Sequence, residues 1–402
     1  MQKKTLPILF ITLMLDMIGI GMVIPIIPVI FTNPHSPAFL LVGYSVQMQY
    51  LIAGLVTALF GLMQFFSAPI LGELSDVYGR KRLLTVGVAV LAVSQMLFGL
   101  GIQIASIGLI LFSRAVAGIA GGNFSIAQAS IADVTDPKDR AKNFGLIGAA
   151  FGIGFILGPV LGGLIASSTG NAAAPFWCAG VLGIINMISL TFFLPETHRP
   201  DALKARSFHI LKGIHNIMDA ARDVTARRLY LASFMYVAGF TFFTSFSGIY
   251  LVARFGFSES AIGTFFGVIG IWIVITQLFI LRVVTRLYNE RTILRISLIA
   301  LATALIMYPF MPSIFFLYAL LPFLAVASGL SMANMSALVS KSVSADRQGA
   351  ALGINGSLQA LSQGVIPLLA GIGSGALGIY APFLAAGGLV IGAWGVLFLM
   401  RR

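Results

Sequence analysis

The sequence predicts an all-α membrane protein, with twelve transmembrane helices arranged as two six-helix pseudo-repeat bundles. Three observations lead to this fold class. The chain of 402 residues is 58% hydrophobic and 9% charged, with a mean hydropathy of +0.98, whereas about 25% of a soluble domain is charged. Apolar runs long enough to cross a bilayer recur along the whole chain. Lysine and arginine collect in alternate short connections between those runs.

Apolar runs bounded by charged residues, proline or glycine delimit the spans. The longest polar stretch, 195–228, separates six of them from the other six. We therefore expect one bundle over 1–194 and a second over 229–402. The twelve spans are placed at 6–31, 40–71, 83–102, 105–132, 142–167, 174–194, 229–252, 259–281, 292–311, 313–340, 347–373 and 377–400.

The basic residues predict the orientation. Most of the positive charge lies in one set of alternate connections, and Arg254 is the exception on the other side. Cytoplasmic connections are enriched in lysine and arginine, so both termini are expected in the cytoplasm, at a bacterial-type inner membrane. The net charge of +12 lies in these connections and not in a patch interleaved with exposed aromatics. Nucleic acid is therefore not an expected partner.

The connection 195–228 carries mixed charges and an amphipathic pattern. Its apolar residues are Phe208, Ile210, Leu211 and Ile214. This pattern predicts a short cytoplasmic helix at the membrane interface, and a solvated linker is the alternative.

The two halves repeat each other in sequence. Arg140 and Pro159 recur about 208 positions later as Arg347 and Pro367. Repeated six-span halves are typical of secondary transporters, in which the substrate site lies between the halves. The repeat therefore favours a transporter that works by alternating access over a channel.

A carboxyl group is predicted deep in the first span. Asp16 is the one charged residue in 6–31, and at 1.5 Å per residue it lies about 15 Å into the bilayer. Charges at this depth are costly, and they typically face a cavity or a partner on an ion or proton path. Asp16 is therefore the expected proton carrier. A carboxyl that only bonds a neighbouring helix is the alternative.

A glycine-containing charged motif is predicted in the short cytoplasmic loop between spans two and three. The motif consists of Gly72, Leu74, Asp76, Gly79, Arg80 and Lys81. It resembles the signature G-x-L-a-D-r-x-G-R-K of the major facilitator superfamily, with Val77 in place of the usual arginine. In that family the motif acts as a latch between the halves. In the second half the pattern is lost, because Arg286 stands where Asp76 would be. The resemblance implies a latch role for Gly72, Asp76, Gly79, Arg80 and Lys81, and for Asp133 at the cytoplasmic end of span four.

Span four carries a second deep charge, Arg114, about 14 Å from the outside. The residues that follow at spacings of three and four are expected to share its helix face; they are Gly118, Gly121, Ser125 and Gln128. This stretch resembles the second motif of the same family, R-x-x-x-G, which implies that Arg114 takes part in proton relay with Asp16. An arginine bonded to backbone carbonyls is the structural alternative.

Span five is rich in glycine at three- and four-residue spacing, a pattern that lets helices approach closely. Its sequence resembles the antiporter motif of drug/proton exporters, which ends in G-P-x-x-G-G, and the resemblance implies export. The residues concerned are Gly154, Gly158, Pro159, Gly162 and Gly163.

The first span, with Asp16 followed by Pro25 and Pro28, resembles the tetracycline-exporter branch of these antiporters. The resemblance is strong over roughly 6–196. That branch places an aspartate in span three and a histidine in span eight, where this sequence has Ser94 and Ile273. The resemblance therefore implies proton antiport without specifying tetracycline as the substrate.

The family's cavity is lined chiefly by spans one, four, seven and ten, so polar and aromatic residues there are candidates for substrate binding. Most polar residues in membrane helices hold helices together instead. A cavity rich in Phe and Met suits amphiphilic or cationic organic molecules. The candidates are Gln47, Asn123, Tyr236, Phe240, Thr244, Gln277, Asn334, Asn355 and Gln359.

These features predict a monomeric, proton-coupled antiporter that exports small amphiphilic or cationic organic molecules. Its partners would be the substrate, protons and the lipid bilayer, with no cofactor or metal. A transporter of a specific metabolite, nutrient or siderophore is the alternative. An enzyme is disfavoured, because the sequence has no catalytic cluster, no metal-ligand spacing and no nucleotide-binding P-loop. The single cysteine, Cys178, excludes a disulfide within the chain.

Overall fold

The computed structural model describes residues 2–135, 140–197, 218, 227–342 and 348–400. Over these residues the chain is helical without strands, and twelve segments are long and apolar enough to span a membrane. The predicted fold class and number of spans are confirmed. The apolar residues of the predicted linker helix lie outside the described residues, as does Arg347. The helices are α1 (Gln2–Gly21), α2 (Ile26–Thr32), α3 (Val46–Tyr78), α4 (Arg80–Gln103), α5 (Ile107–Ala120), α6 (Asn123–Asp133), α7 (Arg140–Thr169), α8 (Ala174–Phe193), α9 (Arg227–Phe255), α10 (Glu259–Ile275), α11 (Leu281–Leu287), α12 (Glu290–Met307), α13 (Ile314–Lys341), α14 (Gln348–Leu377) and α15 (Ala381–Phe398).

Spans one and four are each broken into two helices. In the first span α1 ends at Gly21 and α2 begins after Pro25, which lacks a backbone N–H for a continuous helix. In the fourth span Gly121 and Gly122 separate α5 from α6. The face expected to carry Arg114, Gly118, Gly121, Ser125 and Gln128 is therefore interrupted between its second and fourth members.

The break in span four is stabilised from α3. Gln64 donates to the carbonyl of Gly121 at 3.0 Å, and Ser67 donates to the carbonyl of Gly118 at 3.2 Å. Side chains inserted in this way replace the helical bonds that a break leaves unmade. A Cβ at Gly122 would lie 2.6 Å from Leu71 Cδ1, so a larger residue there would force the Leu71 side chain to shift.

The expectation of a loop between spans two and three is wrong. Helix α3 continues to Tyr78 and α4 begins at Arg80, so only Gly79 lies outside a helix. Gly79 has a φ of +95°, a conformation that L side chains rarely adopt. The boundary was misplaced because hydropathy marks where a helix leaves the apolar layer, whereas the helix itself continues beyond it.

The chain divides into two compact units. One comprises Met1–Gly43, Leu59–Lys212 and Gly256–Gly267, and the other comprises Tyr44–Ala58, Gly213–Phe255 and Val268–Arg402. In the first unit α1 packs on α7 and α8, and α4 packs on α5 and α8. In the second, α9 packs on α14 and α15, and α12 packs on α13 and α15. The second pattern repeats the first, in agreement with the sequence repeat.

A buried apolar cluster holds the helices of the first unit around α1. Leu9 and Leu13 of α1 contact residues of α4, α6 and α8, and all of them are almost inaccessible to solvent. Within a bilayer such side chains stabilise the bundle by van der Waals packing, because lipid tails are as apolar as leucine. Asp16 follows Leu13 by less than one turn, so this cluster fixes the position of its backbone.

Candidate functional site

The carboxyl of Asp16 lies at the centre of a buried polar group in the first unit. Its side chain is 7% exposed, and Asn186 Nδ2 of α8 donates to Asp16 Oδ1 at 3.3 Å. Thr12, one turn before Asp16 on α1, donates through its hydroxyl to Asn186 Oδ1 at 3.1 Å. Asn186 was missed by the sequence analysis, although it is a lone amide in an apolar span.

A small cavity adjoins this carboxyl. Its volume is about 10 Å³, close to the smallest space that admits one water molecule. Besides Asp16 it is lined by apolar residues and by Gln95 of α4. Gln95 does not bond the carboxyl; its Nε2 donates to the carbonyl of Gly19 at 3.0 Å. Asp16 is therefore the ionisable group of this cavity.

Asn123 opens α6 beside the same group of side chains. It is 3% exposed and lies near the carboxyl of Asp16. Asn123 and Asn186 are therefore two buried amides beside this carboxyl.

Arg114 of α5 is buried in the same unit, at 5% exposure. Its guanidinium lies 4.9 Å from the ring centre of Phe60 and 6.0 Å from that of Phe98. Such cation–π contacts are worth about 2 kcal/mol when the cation is desolvated. The hydrogen bond to the carboxyl of Asp16 is donated by Asn186.

The residues of the latch motif meet at the junction of α3 and α4. The guanidinium of Arg80 bonds Asp76 Oδ1 at 2.5 Å and Asp133 Oδ2 at 3.1 Å, and it also donates to Ser75 and to the carbonyl of Gly72. Arg80 is 7% exposed. A guanidinium with several acceptors and little water is held far more firmly than an isolated surface ion pair.

Glu196 completes this junction, and the sequence analysis missed it because it was assigned to the linker. Glu196 Oε1 accepts from the backbone N–H of Arg80 at 2.9 Å, and Oε2 accepts from that of Lys81 at 3.2 Å. The carboxylate therefore caps the first turn of α4, where a negative charge is favoured. A Cβ at Gly79 would lie 2.6 Å from Glu196 Oε2, so the glycine also leaves room for the cap.

The glycines of span five pack against α1 and the turn after it. A Cβ at Gly158 would lie 2.7 Å from Gly21 Cα, and one at Gly162 would lie 2.8 Å from Met22 Cα. Gly154 is in similar contact with Met17. The backbones of α7 and α1 are thus in direct contact along the segment that carries Asp16.

An adjacent face of α7 makes a second close contact, which we call the Pro159 seam (Pro159, Gly163, Glu259 and Gly263). The carbonyl of Pro159 faces Gly263 of α10, and Gly163 faces the carbonyl of Glu259. Glycine is needed at both positions because a Cβ would overlap the facing carbonyl. Gly263 was not singled out from the sequence.

The second unit contains the same arrangement, the Pro367 seam (Pro367, Gly371, Tyr50 and Gly54). The carbonyl of Pro367 on α14 faces Gly54 of α3, and Gly371 faces the carbonyl of Tyr50. The two seams thus use equivalent residues in the two halves of the sequence.

The substrate candidates of the second half mostly bond neighbouring helices. Tyr236 donates to the carbonyl of Ser328 at 3.2 Å, and Gln277 donates to that of Gly329 at 3.2 Å. Gln277 lies in a π-helical turn, Thr276–Ile280. Asn355 accepts from Ser233 at 2.6 Å. These contacts agree with the alternative that polar residues hold the helices together.

The other candidates differ in their surroundings. Asn334 and Thr244 bond carbonyls of their own helices, at 2.8 and 3.3 Å. Phe240 packs on Phe243 with ring centres 6.0 Å apart. Gln47 and Gln359 are exposed.

Comparison with known proteins gives consistent matches over the whole chain. The family model described as Major Facilitator Superfamily matches residues 9–312 and 229–402. The tetracycline resistance protein, class C, of Escherichia coli is 31% identical over 367 residues, which are 87% of this chain and 84% of that protein. Multidrug resistance protein 2 of Bacillus subtilis (strain 168) is 26% identical over 406 residues, covering 100% and 96%.

A solved structure gives the same fold. The human organic anion transporter MFSD10 (TETRAN) superposes with a TM-score of 0.74 at 24% identity, over 98% of this chain and 99% of that one.

Proposed function

Because the chain belongs to the major facilitator superfamily, we propose that this multi-pass membrane transporter exports small amphiphilic or cationic organic molecules in exchange for protons. The proposed substrate class rests on the similarity of this chain to tetracycline and multidrug resistance proteins. Antiport is supported by the buried carboxyl of Asp16, which is the single observation that carries the proposal.

The proposed mechanism uses the charge state of Asp16. A carboxyl buried in a span is costly as an anion, so it takes up a proton readily and releases it when water or a cationic substrate arrives. Proton and substrate then compete for one charge state, and this competition couples their movements. Arg114, buried in the same unit, would bias this exchange by its positive charge.

The remaining residues are proposed to control the conformational cycle. The contacts of Arg80 with Asp76 and Asp133 would hold α3, α4 and the end of α6 together as the latch. The close packing of the α7 glycines would let α1 and α7 move as one body. We further propose two functional halves, 1–194 and 229–402, joined by 195–228, in a monomer with both termini in the cytoplasm of a bacterial-type inner membrane. The one-sided distribution of lysine and arginine supports this orientation.

A growth-inhibition panel in an efflux-deficient bacterium tests the proposal. Tetracyclines, lipophilic cations and fluoroquinolones are compared for wild type and Asp16→Asn at matched membrane expression. We expect the wild type to confer resistance to at least one class and Asp16→Asn to lose it, because an amide cannot carry the proton. Glu290→Gln, the same chemical change in a surface ion pair with Lys341, is the matched control and should keep resistance.

Other outcomes distinguish a proton-coupled exporter from a transporter of a specific metabolite. Full resistance with Asp16→Asn would refute the role of Asp16 as proton carrier. No resistance from a well-expressed wild type would make the transporter of a specific metabolite the better reading. In everted vesicles, a substrate found by the panel should dissipate a preformed proton gradient with wild type and not with Asp16→Asn.

A further inference from the structure

We propose that Asn186 is a positioning residue that holds the Asp16 carboxylate in its charged form and thereby sets the pH at which Asp16 takes up its proton. This inference rests on the proposed function, since it deepens the role of the same carboxyl. It assigns a task to span six, to which the sequence motifs assign none.

The geometry of the three side chains gives the amide a defined orientation. Thr12 and Asp16 lie one turn apart on the same face of α1, and Asn186 of α8 lies opposite both. The hydroxyl of Thr12 donates to Asn186 Oδ1 at 3.1 Å, which directs Nδ2 of the same amide toward Asp16 Oδ1 at 3.3 Å. Nδ2 also lies 3.5 Å from the carbonyl oxygen of Thr12.

The site is closed to bulk solvent, so a hydrogen bond to the carboxyl of Asp16 has a large effect. Thr12 and Asn186 are each 1% exposed. An N–H donor stabilises the carboxylate more than the neutral acid, and it does so more strongly where water cannot compete. The amide therefore holds the carboxylate in one rotamer, with Oδ1 bound to α8.

The other polar side chains nearby differ from Asn186 in their contacts. Arg114 of α5 stacks over Phe60 and Phe98 and does not line the cavity beside Asp16. Cys178, on the same helix as Asn186, is exposed. Gln95 lines the cavity, but its amide is bound to the carbonyl of Gly19. Asn123 of α6 also lies near the carboxyl, whereas Asn186 is the amide that Thr12 orients.

Gln95 provides the matched control. It is a buried amide in the same cavity, and it differs from Asn186 in that its donor serves the backbone. Replacing either amide removes a similar amount of polarity from the site. If protonation of Asp16 changes when Asn186 is replaced but not when Gln95 is replaced, the change is due to the hydrogen bond between Asn186 and Asp16.

The test measures protonation of Asp16 directly, with the purified full-length protein in lipid vesicles. Dicyclohexylcarbodiimide reacts with protonated carboxyls inside membranes, and the modified fraction of Asp16 is read by mass spectrometry across a pH series. Asn186→Leu keeps the size of the side chain and removes the donor. The pH of half-labelling should rise by about one unit, the value of one hydrogen bond to a charged group.

Two further variants make the result specific. Thr12→Val should give a smaller rise in the same direction, because it frees the amide to turn, and it answers the question if Asn186→Leu does not fold. Gln95→Met should leave the labelling profile of Asp16 unchanged. An unchanged profile in Asn186→Leu, or an equal shift in Gln95→Met, would overturn the inference.

The labelling needs no transported substrate, so the inference and the proposed function can fail separately. A shift in Asn186→Leu without any proton-coupled transport would support the positioning of Asp16 and overturn antiport. A label on wild-type Asp16 whose fraction does not change across the pH series would overturn both, because the carboxyl would then not exchange its proton in that range.

Discussion

The contact between α1 and α7 predicts a specific cost for adding one methyl group. In Gly158→Ala the new Cβ would lie 2.7 Å from Gly21 Cα and 2.9 Å from the carbonyl oxygen of Ile18. Both neighbours are backbone atoms, so neither can rotate away as a flexible side chain would. The variant can fold only if the two helices separate.

The size of this separation follows from ordinary contact distances. Nonbonded carbon atoms rest about 3.5–4.0 Å apart, so α1 and α7 must move apart by about 1 Å. Overpacking of this kind costs typically 1–3 kcal/mol. We therefore expect Gly158→Ala to lower the free energy of unfolding by about 2 kcal/mol.

Thermal unfolding of the purified protein in detergent measures this cost. Gly395→Ala is the matched control, because Gly395 lies inside α15 and a Cβ there meets nothing within 4 Å. Alanine is preferred over glycine inside a helix by up to about 1 kcal/mol, so the control should melt at or above the wild type. A Gly158→Ala protein that melts as high as the control would refute the reasoning.

Two further predictions concern side chains with defined partners. Glu196→Ala removes the acceptor of the Arg80 and Lys81 backbone N–H groups and should lower the free energy of unfolding by about 1 kcal/mol. Glu196→Gln should fall between Glu196→Ala and the wild type. Equal melting temperatures of all three proteins would contradict the capping role of Glu196. Arg114→Lys loses the planar group that lies over Phe60 and is not a conservative change. It should lower both melting temperature and drug resistance, and wild-type values for both would show that the planar group is dispensable.

The sequence was sufficient for features that depend on local composition. The twelve spans follow from run length and polarity, and the repeat of Pro159 as Pro367 anticipated two matching halves. Glycine spacing in span five correctly marked a helix face that approaches another backbone. These are properties of one segment at a time, and no knowledge of its partner is needed to recognise them.

The features that sequence reasoning missed depend on pairing between distant segments. Asn186 and Asp16 are 170 positions apart, and nothing in either span specifies which polar residue faces which. Glu196 was assigned to a linker because it follows Pro195. Its role depends on the first turn of α4, because its carboxylate accepts from the backbone N–H groups of Arg80 and Lys81. The break between α5 and α6 likewise depends on Gln64 and Ser67, which belong to another helix.

The two seams also explain which parts of the sequence repeat are kept. Each seam places a main-chain carbonyl opposite a position without a Cβ, so a side chain at Gly54 or Gly263 would force the helices apart. The charged latch has no such steric constraint, and in the second half Arg286 stands at the position that corresponds to Asp76. The two halves of this chain therefore match at the seams, where the constraint is steric, and differ at the latch, where it is electrostatic.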